Sequence, residues 1–275
     1  MEIKMKLAIC SEFDSSIPFD RAIPMIRNAG FEVVSLGACP EYSDYRTAEG
    51  IAAIRKLLVK NGMTLDSIHA PWAGDGPLLF SLDEAQRFEA IRQCQIAIDA
   101  AAKLDSSIVV IHLLYGVPPH GPLPGDVRDR MIEQGRRSVY VLAAHASSHG
   151  VKLALENGED SHYDKALVDF LTEFKDESIG FCYDSGHENV QGTCFKLLEQ
   201  FGHRLLTVHI HDNKGADEHA LPYEGNIHWE RFRKIFNGLR FIGNLHLEAT
   251  IGNSQFKDPV DFLSQAMKRG LKLLA

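Results

Sequence analysis

Short runs of apolar and β-branched residues alternate with longer stretches at helical spacing along the whole chain, the pattern of repeated strand–helix units around a parallel sheet. Eight runs read as strands: Lys6–Cys10, Val33–Leu36, Leu65–His69, Ile108–His112, Lys152–Glu156, Gly180–Asp184, Thr207–His211 and Asn244–Glu248. Helix starts lie between them. Ser81-Leu82-Asp83-Glu84 reads as a capping box, and Asp258-Pro259 places a cap before a proline at the first helical position. Phe88, Ile91, Cys94, Ile98 and Ala101 recur at helical spacing, as do Leu167, Phe170, Leu171 and Phe174, which predicts buried faces. No linker-like tract divides the chain. Eight such units predict one (β/α)8 TIM barrel over residues 1–275, with its active site at the C-terminal mouth of the strands.

The polar residues inside these strands carry the chemistry. His69, His112, Glu156, Asp184, His209, His211 and Glu248 stand at or near strand ends. Side chains alternate between the two faces of a strand. With Leu206, Val208 and Ile210 facing the helices, Thr207, His209 and His211 face the interior. The same alternation sends Leu153, Leu155, Phe181, Tyr183 and Leu247 outward and turns Glu156, Asp184 and Glu248 inward. A lone inward histidine is usually a satisfied core residue, so the signal is the convergence of several strands on one mouth. Buried carboxylates and imidazoles of this density need neutralising, and a divalent cation is the usual remedy. Nitrogen and oxygen donors without a cysteine suit Mn, Zn, Mg, Co or Fe.

Composition narrows the partners. A formal net charge of -8 gives no bulk attraction to phosphate backbones or anionic lipid, so nucleic acid is disfavoured as a partner. Five cysteines without a CxxC pair read as free thiols, which predicts a reducing, cytoplasmic setting. The N-terminus runs straight into a strand without a signal-peptide pattern, and no run of about 18 apolar residues suggests a membrane span.

The segments LALEN (153–157), DSGH (184–187), VHIHDNK (208–214), Asp217-Glu218-His219 with the following ALPYEGNIHW to Trp229, and LEA around Glu248 resemble, in this order, the xylose-isomerase-like TIM-barrel superfamily. That group includes sugar isomerases, ketose 3-epimerases, inosose dehydratase-type enzymes and endonuclease IV. The resemblance implies a sugar isomerase or epimerase with one divalent metal on Glu156, Asp184, His209 and Glu248. Glu156 and Glu248 are then the proton carriers of an ene-diol reaction on a small carbohydrate-like substrate. His209 is preferred to His211 because it is followed three residues later by Asp212. His187 matches a position that contacts a substrate oxygen, and His211 and Lys214 are further substrate-binding candidates. Trp72, in HAPW, and Trp229 could each stack on a sugar or simply pack a loop.

Isomerisation, epimerisation and loss of a hydroxyl by a dehydratase share this chemistry. Three departures from the family pattern stand out: Ser35 where many members carry Glu, Lys214 where ketose 3-epimerases carry Arg, and Tyr223-Glu224-Gly225 in place of Gly-Glu-Gly. The alternative is a zinc-dependent abasic-site endonuclease with up to three Zn ions, for which His69, His112, Asp217 and His219 are the additional ligands. No basic intercalating loop accompanies them. Monomer and homo-oligomer both stay open.

Overall fold

A computed structural model describes residues 5–71, 78–113 and 125–275. Eight parallel strands run in the order β7-β6-β5-β4-β3-β2-β1-β8. They are β1 Leu7–Cys10, β2 Val33–Leu36, β3 Thr64–His69, β4 Ile108–His112, β5 Lys152–Glu156, β6 Ile179–Asp184, β7 Leu205–His209 and β8 Leu245–Leu247. The ring closes just beyond β7, where Ile210 N donates to His246 O at 2.9 Å and Glu248 N donates to Ile210 O at 3.1 Å. This is a single (β/α)8 TIM barrel.

The helices around it are α1 Phe19–Asn28, α2 Pro40–Ser43, α3 Ala48–Asn61, α4 Glu84–Lys103, α5 Gly125–Ser148, α6 Ser161–Glu173, α7 Ser185–Val190, α8 Lys196–Phe201, α9 Trp229–Phe236 and α10 Pro259–Leu274. Among the described residues no helix is long and apolar enough to cross a membrane. The main core fills the layer between sheet and helices: Leu153, Leu155, Phe181, Tyr183, Val208 and Leu247 belong to it, all facing outward as alternation requires. Burying such side chains contributes roughly 1.5–3 kcal/mol each.

Three local expectations shift. Helix α4 starts at Glu84 with Asp83 as its cap, the carboxylate accepting from Ala85 N and Gln86 N, whereas Ser81 accepts from Asp83 N one step earlier. Phe88 is 59% exposed, because the buried stripe of α4 runs through Arg87 and Ala90 to Ile91, Cys94, Ile98 and Ala101. Arg87 takes that place by pairing with Glu84 and donating to Ser138 Oγ at 3.2 Å. Leu206 does not face the helices. Pairing between β6 and β7 jumps from Phe181–Leu205 to Cys182–Thr207, and the skipped Leu206 packs on the interior trio Val110, Ala154 and Cys182.

The barrel interior is therefore layered. At the floor Asp66 accepts from Asn244 Nδ2 at 2.7 Å and Thr207 Oγ1 at 3.3 Å. The small side chains Val110, Ala154 and Cys182 lie in between. Charged and imidazole groups occupy the top.

Candidate active site

Register brings the charged groups of the mouth side by side. His112 pairs with Glu156 across β4 and β5, and Asp184 with His209 across β6 and β7. Glu156 is fully buried at the centre. Its Oε2 lies 3.1 Å from His69 Nε2 and 3.0 Å from His112 Nε2, and its Oε1 lies 2.6 Å from His209 Nδ1. Glu248 Oε2 approaches the same His209 Nδ1 at 3.1 Å. Asp184 Oδ1 caps helix α7 through His187 N at 2.7 Å and sits 3.0 Å from His211 Nε2. Farther out, Asp217 Oδ2 is 3.2 Å from His219 Nε2, and the His219 ring stacks on His211 at 3.9 Å. Four of these groups, His187, His211, Asp217 and His219, gather their ligand atoms within 4.8 Å of one another.

Backbone carbonyls dictate how these rings present themselves. His69 Nδ1 lies 2.8 Å from Ala70 O, His187 Nδ1 2.8 Å from Asn157 O, and His219 Nδ1 2.8 Å from Glu248 O. A carbonyl only accepts, so each Nδ1 carries the hydrogen. The opposite Nε2 of each ring then directs a lone pair at a carboxylate, and two acceptors can face each other only with a proton or a cation between them. Metal-bound histidines are oriented by this kind of partner. Asp184 Oδ2, Asp217 Oδ1 and both ring nitrogens of His211 are buried without a hydrogen-bond partner; the 3.0 Å approach of His211 to Asp184 lacks hydrogen-bond alignment. The donor set thus fits a divalent cation, which Glu156, Asp184, His209 and Glu248 could hold. His69 and His112 group with Glu156, and Asp217 and His219 with His187 and His211, so that further ions could be accommodated.

Protons balance the charge otherwise. Burial presses the His209 imidazole downward, but the carboxylates of Glu156 and Glu248 outweigh it and hold it well above its usual value. Burial likewise opposes ionisation of Glu156, yet His209 and His112 keep its carboxyl well below the ordinary range. Against the same penalty, Asp184 raises His187 to about 9 and Asp217 raises His219 to about 10.

Several neighbours escaped the sequence reading. His246, one turn of the alternation below Glu248, is buried with Nε2 2.6 Å from Ser35 Oγ and its ring 4.9 Å from that of His209. Burial, reinforced by the His209 charge, drops it to about 3. Strand alternation already points it inward. Cys182 obeys the same alternation and groups with Glu156 and His209, but burial pushes its thiol well above the usual value, so it stays protonated. Glu12 follows β1 and is raised by burial to about 7, with Oε1 lacking a partner.

Other candidates fall elsewhere. Lys214 is exposed and lines a cleft of about 310 Å³ with Glu218, Tyr223 and Gln255. Trp229 is buried and donates its indole N–H to Asp212 Oδ2 at 2.8 Å, so it packs the loop and has no face to offer a ligand. Asp212 also accepts from Asn213 N, Tyr223 N and Ile227 N, folding the segment that carries Asp217 and His219 back over the mouth. Trp72 lies outside the described residues.

A family model described as Xylose isomerase-like TIM barrel matches residues 23–266. The protein y4fM of Sinorhizobium fredii, described as uncharacterized, is 27% identical over 250 residues, 82% of this chain and 79% of that protein. Among solved structures, a D-tagatose 3-epimerase-like protein superposes with a TM-score of 0.79 at 21% identity, covering 98% of both chains. The 3-keto-D-glucoside 4-epimerase YcjR from E. coli does so with 0.75 at 17% identity, covering 98% of this chain and 99% of that one.

Proposed function

The chain belongs to the xylose isomerase-like TIM barrel family, and from that premise we propose that it is a divalent-metal-dependent isomerase or epimerase of a small sugar-like substrate. One observation carries the reading: Glu156 and Glu248 meet the same His209 nitrogen, at 2.6 and 3.1 Å, from strands β5 and β8. Strands β6 and β7 lie between them in the ring, so the two carboxylates approach the centre of the mouth from different sides. Epimerases among the superposed structures agree with this choice of chemistry.

A cation held by Glu156, Asp184, His209 and Glu248 would polarise a substrate carbonyl and the neighbouring hydroxyl. One of the two glutamates removes the proton from the carbon next to the carbonyl, giving an ene-diol. Return of a proton to the opposite face by the other glutamate inverts that carbon; return to the adjacent carbon moves the carbonyl. His187, held by the Asn157 carbonyl, presents Nε2 for a substrate oxygen. The buried surroundings of Glu156 keep water from competing for these protons. Expulsion of a neighbouring hydroxyl from the same ene-diol is the dehydratase variant.

A second reading draws support from the His69–His112–Glu156 and His187–Asp217–His219 groupings, which could hold further zinc ions for cleavage at abasic sites. The acidic net charge weighs against a DNA substrate. Incubation with free ketoses, aldoses and inositol-like ketones in deuterium oxide with Mn or Zn, followed by NMR, tests the first reading. Exchange of one carbon-bound hydrogen with appearance of an isomer or epimer is expected. Absence of exchange for every substrate, together with nicking of an abasic duplex, would replace it with the second.

A further inference from the structure

At the opposite end of the barrel from the mouth, two histidines and an aspartate converge on the outer helix layer. His145 stands in the last turn of α5, and His149 follows one turn later just past its end. Residues four apart project from one face of a helix, the spacing with which paired histidines grip zinc. Asp99 faces them from α4. Its Oδ1 lies 2.7 Å from His145 Nε2 and 3.6 Å from His149 Nε2, and the two imidazole rings are 4.4 Å apart. The three ligand atoms fall within 4.8 Å of one another.

The second observation is orientation. His149 Nδ1 lies 2.8 Å from the carbonyl of His145, so that nitrogen carries the hydrogen, and Nε2 turns a free lone pair toward Asp99 and His145. Backbone anchoring of one ring nitrogen to free the other is how protein metal ligands are preset. All three groups are partly solvent-accessible, which leaves a path for an ion and room for water as a further ligand.

We propose that Asp99, His145 and His149 form a second metal site, a two-histidine, one-carboxylate clip for a divalent transition-metal ion, zinc foremost, that cross-links α4 to α5. Entry of the ion displaces the proton that His145 Nε2 shares with Asp99. The site stands the length of strand β5 away from Glu156, because α5 ends where β5 begins. It therefore acts on the rigidity of the helical shell and leaves the chemistry at the mouth untouched.

Zinc bound per chain, measured by equilibrium dialysis and elemental analysis on the full protein, tests it. The parent is expected to hold one more zinc ion than His149→Gln, Asp99→Asn and the double variant His145→Gln/His149→Gln. Turnover and the remaining bound metal should stay unchanged. Zinc should also raise the Tm of the parent more than that of His149→Gln, an exposed substitution with little power to unfold the chain. Equal zinc content in parent and variants would overturn the assignment.

Discussion

Glu156 Oε1 lies 2.6 Å from His209 Nδ1, although the two residues stand on strands separated by all of β6. The contact exists because both side chains point into the barrel at the same height, and it makes His209 the pivot between two carboxylates. Glu248 is the more accessible of the pair, 15% exposed against 0% for Glu156, so it can be altered with least damage to the fold. Glu248→Gln keeps size and polarity and removes the proton carrier. Turnover is expected to fall on the order of 10²–10⁴-fold with the melting temperature nearly intact. Wild-type-like turnover would rule out the proposed mechanism.

His209 and His211 separate by role. His209 touches both glutamates, whereas His211 faces Asp184 and stacks on His219. His209→Asn is expected to abolish tight binding of Mn or Zn at the mouth, and His211→Asn to weaken it by about 10–100-fold, as for groups that support a ligand set. Equilibrium dialysis of the two variants side by side checks this; equal losses would contradict the assignment of His209.

The strands were legible because their alternation is regular and the polar breaks in it fall at one end. Of the four strands whose two faces the sequence distinguishes, β5, β6 and β8 carry their inward and outward sets as expected, and β7 departs only where the pairing skips Leu206. His246 and Cys182 obey the same alternation and could have been found by extending it two residues down β8 and β6. The burial of Trp229 was not legible, since it depends on Asp212 collecting four N–H groups from a loop whose path involves left-handed backbone at His219 and Tyr223. Phe88 misled because one helical position moves a side chain about 100° around the axis, and Arg87 could be buried only by finding Glu84 and Ser138.

Gly186 allows the DSGH turn to lie against His211. A Cβ at that position would stand 2.0 Å from His211 Cε1. The ring cannot retreat, since its other face is stacked on His219. Gly186→Ala is therefore expected to destabilise the protein by about 1–3 kcal/mol in urea unfolding and to lower metal content at the mouth. Full stability with full metal content would show that the mouth yields more easily than its packing implies.

His246 predicts a pH dependence. Its folded value of about 3 lies below the ordinary histidine value of 6.5, so the unfolded chain binds a proton that the folded chain refuses. Above the ordinary value the group is neutral in both states and has no effect. As pH falls from there toward 3, stability is lost by up to about 1.4 kcal/mol per pH unit. Urea midpoints taken at several mildly acidic pH values should fall less steeply for His246→Asn than for the parent. Parallel slopes would mean that the buried imidazole already accepts a proton in the folded state.

Among the described residues the backbone bonds that close the barrel between β7 and β8 are those of Ile210, and the residues flanking that stitch are His209, His211 and Glu248. The parting line of the cylinder and the chemistry of its mouth thus coincide. A group that bound His209 and Glu248 together would span the same seam from above, adding a second cross-strand tie to the one that the Ile210 backbone makes.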